Sequence, residues 1–174
     1  IDKESIKKFK IGLSISKTSL TDYLLSKGTE LKKLVDLGIS NENGTDLFTN
    51  RIMFPLYDLE GNVVAFSGRI YNTKDSSKYI NTKETAIFKK GNILYNYHNA
   101  KELLKKNDSV IVMEGFMDVI RANTIGINNC IATMGTALTK QNATLLKKMA
   151  DNIILCFDGD KAGEEATISA INIF

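Results

Sequence analysis

The chain has 174 residues, of which 43% are hydrophobic and 25% are charged. That length and apolar fraction are enough for one domain or two small ones, with a core that needs no disulfide staples. No apolar run approaches the roughly 18 residues of a membrane span, and no segment resembles a signal peptide. One histidine, two cysteines and no Cys-x-x-Cys pair make a zinc site unexpected. Because both cysteines lie in apolar, strand-like runs, we expect buried thiols, a reducing compartment and a cytoplasmic protein.

The net charge of +3 is distributed unevenly along the chain. Residues 1–106 contain 18 lysines and arginines against 12 aspartates and glutamates, whereas residues 107–174 contain 5 against 8. A basic half joined to an acidic half is typical of a polyanion-binding surface beside a cation-binding pocket. A lysine-rich composition alone would give the same imbalance, so charge does not decide between the two interpretations.

The first hundred residues indicate an α+β arrangement. Residues 1–50 have helical and loop patterns, and residues 51–57 and 63–70 predict a hairpin around a turn at 58–62. Pro55, the only proline, is expected on an edge strand or at a bulge. A helix is predicted from about Tyr97 to Lys106, and the break that follows it places a domain boundary between residues 107 and 108.

From residue 109 the pattern becomes a regular alternation of strands and helices. Three apolar runs predict strands, and each is followed by a helical segment. Thr139 is expected to cap the second of these helices. The strands are near 110–114, 130–134 and 153–158, and the helices are 116–125, 140–150 and 162 onward. This βαβαβα order predicts a parallel sheet flanked by helices, a Rossmann-like α/β fold.

Acidic residues follow two of the predicted strands. Glu114 comes directly after the first strand, and Asp118 lies four residues later in the helix that follows. Asp158 and Asp160 follow the third strand, with Gly159 between them to permit a tight turn. Since the carboxyl ends of parallel strands share one edge of the sheet, these side chains are expected to converge in one crevice.

Several carboxylates in one crevice repel each other unless a cation compensates them. Oxygen ligands of this kind suit Mg²⁺, which can also bind substrate phosphate and promote phosphoryl transfer. Any single acidic residue after a strand is more simply explained as a helix cap or a solvated charge. Two acidic segments predicted to meet are a more specific signal.

Two segments carry a resemblance to a known domain. Residues 114–120 (Glu-Gly-Phe-Met-Asp-Val-Ile) and 157–163 (Phe-Asp-Gly-Asp-Lys-Ala-Gly) resemble the hallmark segments of the TOPRIM domain, which occurs in bacterial primases, topoisomerases and some nucleases. Four earlier segments look like the basic subdomain that precedes TOPRIM in bacterial DNA primases. These are residues 51–56, 61–69, 78–82 and 87–91. The six ordered segments together cover nearly the whole chain.

The resemblance implies roles for individual residues. Glu114 would be the essential acid near the metal and a general base or acid, Asp158 and Asp160 would be metal ligands, and Asp118 would support them. Arg69, Lys78 and Lys90 match positions that bind template, nucleotide or primer phosphates. For Lys78 and Lys90, a solvated basic face is the simpler explanation without the resemblance.

By resemblance, residues 1–107 form a basic α+β subdomain and residues 108–174 an incomplete TOPRIM domain of a primase catalytic core. Such an enzyme is a DNA-directed RNA polymerase that uses Mg²⁺ or Mn²⁺ and ribonucleoside triphosphates to make RNA primers on single-stranded DNA. The family's zinc-binding domain, helicase-binding domain and third acidic motif are expected outside this chain, which we take to be part of a longer protein. The replicative helicase is therefore expected as a partner through a domain that is absent here, and no membrane partner is expected. Two alternatives are a phage or plasmid primase–helicase and a non-catalytic TOPRIM module that binds DNA or protein.

Overall fold

The computed structural model describes residues 1–72, 77–104 and 109–174. Backbone contacts divide the chain into two compact units. The N-terminal unit consists of residues 6–56 and 64–89, and the C-terminal unit of residues 1–5, 57–63 and 90–174. The predicted boundary between residues 107 and 108 lies outside the described residues and stays a prediction. No helix in the described ranges is long and apolar enough to cross a bilayer.

A four-stranded sheet and three short helices make up the first part of the chain. The helices are α1 (Lys3–Lys8), α2 (Ser19–Ser26) and α3 (Leu31–Asp36), and the strands are β1 (Gly12–Ser14), β2 (Arg51–Tyr57), β3 (Val63–Ile70) and β4 (Tyr79–Asn81). The strand order is β1-β2-β3-β4, with β1 antiparallel to β2 and β4 antiparallel to β3. The predicted hairpin is present as β2 and β3. Pro55 lies on β2 beyond Met53, the last residue paired with β1, so it removes no hydrogen bond from that pair.

One buried carboxylate fixes the start of α2. Asp46 is 4% exposed and accepts hydrogen bonds from the amides of Leu20 (3.1 Å) and Thr21 (2.8 Å). It also accepts from the Thr21 hydroxyl at 2.7 Å. The first amides of a helix have no partner within the helix, so a carboxylate placed there satisfies them from outside. Asp46 thereby ties α2 to a loop 25 residues further along the chain.

We expect Asp46→Ala to lower the free energy of unfolding by about 2 kcal/mol, because it removes a helix cap and leaves a buried hydroxyl with one acceptor fewer. Urea unfolding followed by circular dichroism measures the change. Glu42→Ala is the control, since it removes an exposed acid from the same loop. Equal effects of the two variants would contradict the capping role of Asp46.

A three-stranded parallel sheet organises the C-terminal unit, as the sequence predicts. Its strands are β5 (Ser109–Met113), β6 (Cys130–Ala132) and β7 (Asn152–Cys156), and its helices are α4 (Tyr97–Leu104), α5 (Phe116–Thr124), α6 (Lys140–Lys147) and α7 (Lys161–Ile171). β5 is central and pairs in parallel with both neighbours. The predicted cap of α6 is present, because Thr139 Oγ1 accepts a hydrogen bond from the Asn142 amide at 3.1 Å.

The expectation that both thiols are buried was wrong for one of them. Cys130 on β6 is fully buried, whereas Cys156 on β7 is exposed. β7 pairs with β5 on one side and is an edge strand in the described parts of this chain, so its residues alternate between exposed and half-buried. An apolar run predicted a strand here correctly, but it could not show that only one face is covered.

A short segment before α4 extends the parallel sheet on its β6 side. Tyr95 and Ala132 form an antiparallel bridge, with N–H···O distances of 2.8 and 3.2 Å. The Asn96 side-chain amide donates to the Cys130 carbonyl at 3.0 Å. Asn96 itself has a positive φ of 66°. Residues 90–104 therefore group with the parallel sheet. The helix predicted for residues 97–106 is α4, and its last two predicted residues lie outside the described ranges.

Candidate functional site

Glu114 and Asp158 meet at the carboxyl edge of the parallel sheet. Glu114 directly follows β5, and Asp158 is the second residue after β7. Because β5 and β7 are paired in parallel register, with Met113 opposite Cys156, the two chains leave the sheet side by side. Glu114 Oε1 accepts a hydrogen bond from the Asp158 amide at 3.1 Å. Two segments that are 44 residues apart in sequence are thus joined at one point.

The glycine that permits this contact is Gly163, in the first turn of α7. A Cβ atom at Gly163 would lie 2.8 Å from Glu114 Oε1 and would overlap the Asp158 carbonyl oxygen. Gly159, which the sequence suggested as the residue that permits the tight turn, has no atom beyond its chain neighbours within 4 Å of the position that a Cβ would take. The role of Gly163 was missed at the level of sequence. Its signal was a glycine inside a predicted helix, where glycine is unfavourable and often marks a close approach.

Asp160 has a structural function in the fold. It is the N-cap of α7, and its Oδ1 accepts a hydrogen bond from the Gly163 amide at 2.9 Å. This capping role is enough to explain an acidic residue at position 160, even if the residue binds no metal. It also holds the 158–163 turn closed, so that the Asp158 amide and Gly163 both lie at Glu114.

Asp118, the fourth predicted acid, is on α5. It is exposed in the first turn of α5, and its Oδ2 is 2.7 Å from the position that a Cβ of Gly115 would occupy. No hydrogen bond joins Asp118 to Glu114, Asp158 or Asp160 in the described parts of the chain. A side chain at position 115 would displace this carboxylate, which is exposed and can rotate away.

A cavity of about 200 Å³ opens beside Glu114. Small-molecule pockets usually measure roughly 300–1,000 Å³, so a larger substrate held here would extend into solvent. Its walls come from the segments that follow β5, β6 and β7, and they are Glu114, Thr133, Gly135, Thr136, Ala137, Leu138, Phe157 and Ala166.

Two of the predicted basic residues are neighbours in the N-terminal unit. Arg69 on β3 is paired in register with Tyr79 on β4, and its guanidinium lies 5.6 Å from the tyrosine ring and 3.3 Å from the tyrosine hydroxyl. Lys78 precedes β4 and is exposed, and its carbonyl accepts a hydrogen bond from the Ile70 amide at 3.0 Å. One edge of the sheet therefore presents a guanidinium, an aromatic ring and an ammonium group.

Lys90 belongs to the C-terminal unit. It is the first residue of a 3₁₀ turn, Lys90–Asn92, and is half-buried. The Asn142 side chain on α6 donates to the Gly91 carbonyl at 3.2 Å and so fixes this turn against the helix. Lys90 is thus attached to the same unit as Glu114.

Two family models cover nearly all of the chain. The model of the DNA primase catalytic core, N-terminal domain, matches residues 1–101, and a Toprim-like model matches residues 111–174. This chain belongs to the DNA primase catalytic-core family. The match over residues 1–101 favours a primase over a Toprim module attached to some other protein.

Similar proteins agree with this assignment. The DNA primase of Listeria monocytogenes is 39% identical over 167 residues, which are 93% of this chain and 27% of that protein. The zinc-binding and RNA polymerase domains of Aquifex aeolicus primase superpose with a TM-score of 0.88 at 34% identity, covering 99% of this chain and 44% of that one. The DnaG primase catalytic domain bound to single-stranded DNA gives a TM-score of 0.86 at 34% identity, covering 99% and 55%. The chain spans about a quarter of the length of its curated relatives.

Toprim domains generally bind divalent metal ions, and the acidic residues of this chain are compatible with one. Within the described residues, no three His, Cys, Asp or Glu side chains are gathered closely enough to hold a metal. However, Asp158 is exposed, so its carboxylate can turn, and Asp160 uses Oδ1 for its cap on α7. Glu114 is held in a space that only a glycine at position 163 leaves open. A donor set of carboxylate oxygens suits a hard cation.

We expect Gly163→Ala to destabilise the protein by about 1–3 kcal/mol. Helix propensity alone would favour alanine by about 1 kcal/mol, but the added methyl group collides with Glu114 and with the Asp158 backbone. Gly159→Ala is the matched control and should change stability by less than about 0.5 kcal/mol. Thermal and urea unfolding of both variants give the measurement. A Gly163→Ala protein more stable than wild type would contradict the close approach.

Proposed function

We propose that this chain forms the central part of a catalytic core that synthesises short RNA primers on single-stranded DNA for replication. The observation that carries the proposal is the junction of Glu114 and Asp158 at the carboxyl edge of the sheet, in a chain of the primase catalytic-core family. In parallel α/β sheets, ligands usually bind at this edge. Within the proposal, residues 1–107 and 108–174 are the two domains of this part of the core.

Glu114, Asp158 and Asp160 are the proposed metal-binding and catalytic residues, with Asp118 as a supporting acid. A bound Mg²⁺ or Mn²⁺ would neutralise charge that develops on the transferred phosphoryl group. Since Glu114 Oε1 is occupied by the Asp158 amide, Oε2 is the oxygen available to take or return the proton of the attacking hydroxyl group. Asp160 holds the turn by its cap and contributes negative charge.

Arg69, Lys78 and Lys90 are the proposed binding residues for phosphates of the template, the incoming ribonucleoside triphosphate or the primer. A guanidinium and ammonium groups attract phosphate without reading sequence, as a primase that copies different templates requires. A related primase catalytic domain has been seen bound to single-stranded DNA, which supports DNA as a partner here. We place the activity in the bacterial cytoplasm, with the replicative helicase engaged through another domain of the full-length protein.

Glu114→Gln should reduce primer synthesis by the full-length protein at least roughly 100-fold, because the amide keeps the Oε1 acceptor but loses the charge and the proton-accepting oxygen. Incorporation of labelled ribonucleotides on a single-stranded template, with Mg²⁺ and with Mn²⁺, is the measurement. Glu165→Gln removes an exposed acid from α7 and should retain wild-type activity. Wild-type synthesis by Glu114→Gln would refute the catalytic assignment.

Replacing Arg69, Lys78 or Lys90 with alanine should each weaken binding to single-stranded DNA or nucleotide. A variant that neutralises one phosphate fewer should show a slope of log K against log salt that is smaller by about 0.7 units, whatever the DNA sequence. Asp160→Asn should leave DNA affinity unchanged or slightly higher, since it removes a repulsive charge.

Fluorescence anisotropy over a salt series measures these slopes on this chain. Lys32→Ala, which removes an exposed charge from α3, is the matched control for a non-specific reduction in charge. If the three basic variants bind DNA and nucleotide like the control, these residues form a solvated face and the binding assignment is wrong.

A further inference from the structure

A buried arginine contacts the backbone next to the two basic residues of the N-terminal unit. Arg51, the first residue of β2, is only 3% exposed. Its Nη1 donates to the Gly68 carbonyl and to the Ser77 carbonyl, each at 3.1 Å. Both acceptors immediately precede a residue proposed to bind phosphate, since Gly68 comes before Arg69 and Ser77 before Lys78.

The packing around Arg51 leaves its side chain little room to move. A Cβ atom at Gly68 would lie 2.9 Å from Arg51 Cδ and 3.3 Å from Arg51 Cβ, so the arginine stem runs directly against the β3 backbone. β4 adds to the far side of β3, with Gly68 opposite Ile80. The Arg51 side chain thus contacts the backbone of β3 at Gly68 and the backbone of Ser77, two residues before β4.

Burial of a guanidinium is unfavourable unless its donors are satisfied, and a carbonyl that accepts from a cation is held more firmly than one that accepts from a neutral group. The Ser77 carbonyl is therefore held in place by the hydrogen bond from Arg51. On the neighbouring residue, the Lys78 carbonyl accepts from the Ile70 amide at 3.0 Å. These contacts set the point from which the exposed Lys78 side chain leaves the sheet.

We infer that Arg51 is a positioning residue that orients Arg69 and Lys78 for phosphate binding, without touching the nucleic acid itself. The inference rests on the proposed function, which makes Arg69 and Lys78 the binding groups. An arginine suits this position because the two hydrogens of one planar nitrogen can reach two carbonyls at once, whereas a lysine presents a point charge on a flexible stem.

The test is Arg51→Lys, which keeps the net charge and removes the planar donor. Any change in the salt dependence of DNA binding then reflects altered positioning and not altered charge. We expect single-stranded DNA binding to weaken three- to tenfold and the slope of log K against log salt to fall by about 0.7–1.4 units, equivalent to one or two phosphate contacts. In an Arg69→Ala/Lys78→Ala background, the same substitution should cause no further weakening.

Hydrogen exchange of the Ile70 amide reports the positioning independently of binding. In Arg51→Lys this amide should exchange at least tenfold faster than in wild type. Asp46→Ala is the control, because it destabilises the same unit at a different place. Each variant is measured at the same interval below its own Tm. Asp46→Ala should affect Ile70 less and leave the salt slope of the folded protein unchanged.

A measurement on the wild-type protein covers the case in which Arg51→Lys does not fold. The Arg51 Nη protons should be protected from solvent exchange in nitrogen-resolved NMR spectra of wild type, and rapid exchange would overturn the inference. Unchanged Ile70 exchange in the folded variant would also overturn it. If Arg51→Lys shows faster Ile70 exchange but binds DNA like wild type, while Arg69→Ala and Lys78→Ala weaken binding, Arg51 has only a structural role and the inference is wrong. If those two alanine variants bind normally, the proposed binding role itself fails.

Discussion

The hydrogen bond from the Asp158 amide to Glu114 Oε1 connects the two acidic segments of the C-terminal unit. It depends on the parallel register of β5 and β7, which delivers both segments to one edge of the sheet. It also depends on Gly163, because any side chain there would occupy the space of the Glu114 carboxylate. A carboxylate that accepts from a main-chain amide has a fixed position, whereas one facing only solvent samples several rotamers. The strand pairing therefore places one oxygen of the proposed catalytic acid.

Much of this architecture could be predicted from the sequence, because its causes are local. Apolar runs of four or five residues separated by amphipathic helices specify a parallel sheet, and Thr139 caps α6 as its position suggested. The exposure of Cys156 could not be predicted in the same way. It depends on which strands lie beside β7, and hydrophobicity along a strand carries no information about its neighbours. The central role of Gly163 in place of Gly159 likewise follows from a contact with Glu114, a residue distant in sequence.

Asp160 illustrates why an acidic residue after a strand is ambiguous in sequence. Its carboxylate caps α7, which explains the residue by local stability alone, and the same cap closes the turn that brings Asp158 to Glu114. The structural and the proposed catalytic roles are therefore compatible, since the cap uses Oδ1. They differ in what they require of the residue. A cap tolerates asparagine or serine, whereas a role in metal binding requires the negative charge.

The N-terminal unit uses charge in a way that a hydrophobic pattern does not reveal. Arg51 stands in a strand of mostly apolar residues, and the sequence drew attention only to the more exposed Arg69, Lys78 and Lys90. Arg51 is only 3% exposed and its Nη1 already donates to two backbone carbonyls, so these donors are not available to a phosphate at the surface. Its effect is mechanical, since it holds two backbone positions from which exposed cations project. Affinity for phosphate then depends on surface charge and on the rigidity of the backbone that presents it, so a charge-conserving substitution in the core can alter binding at the surface.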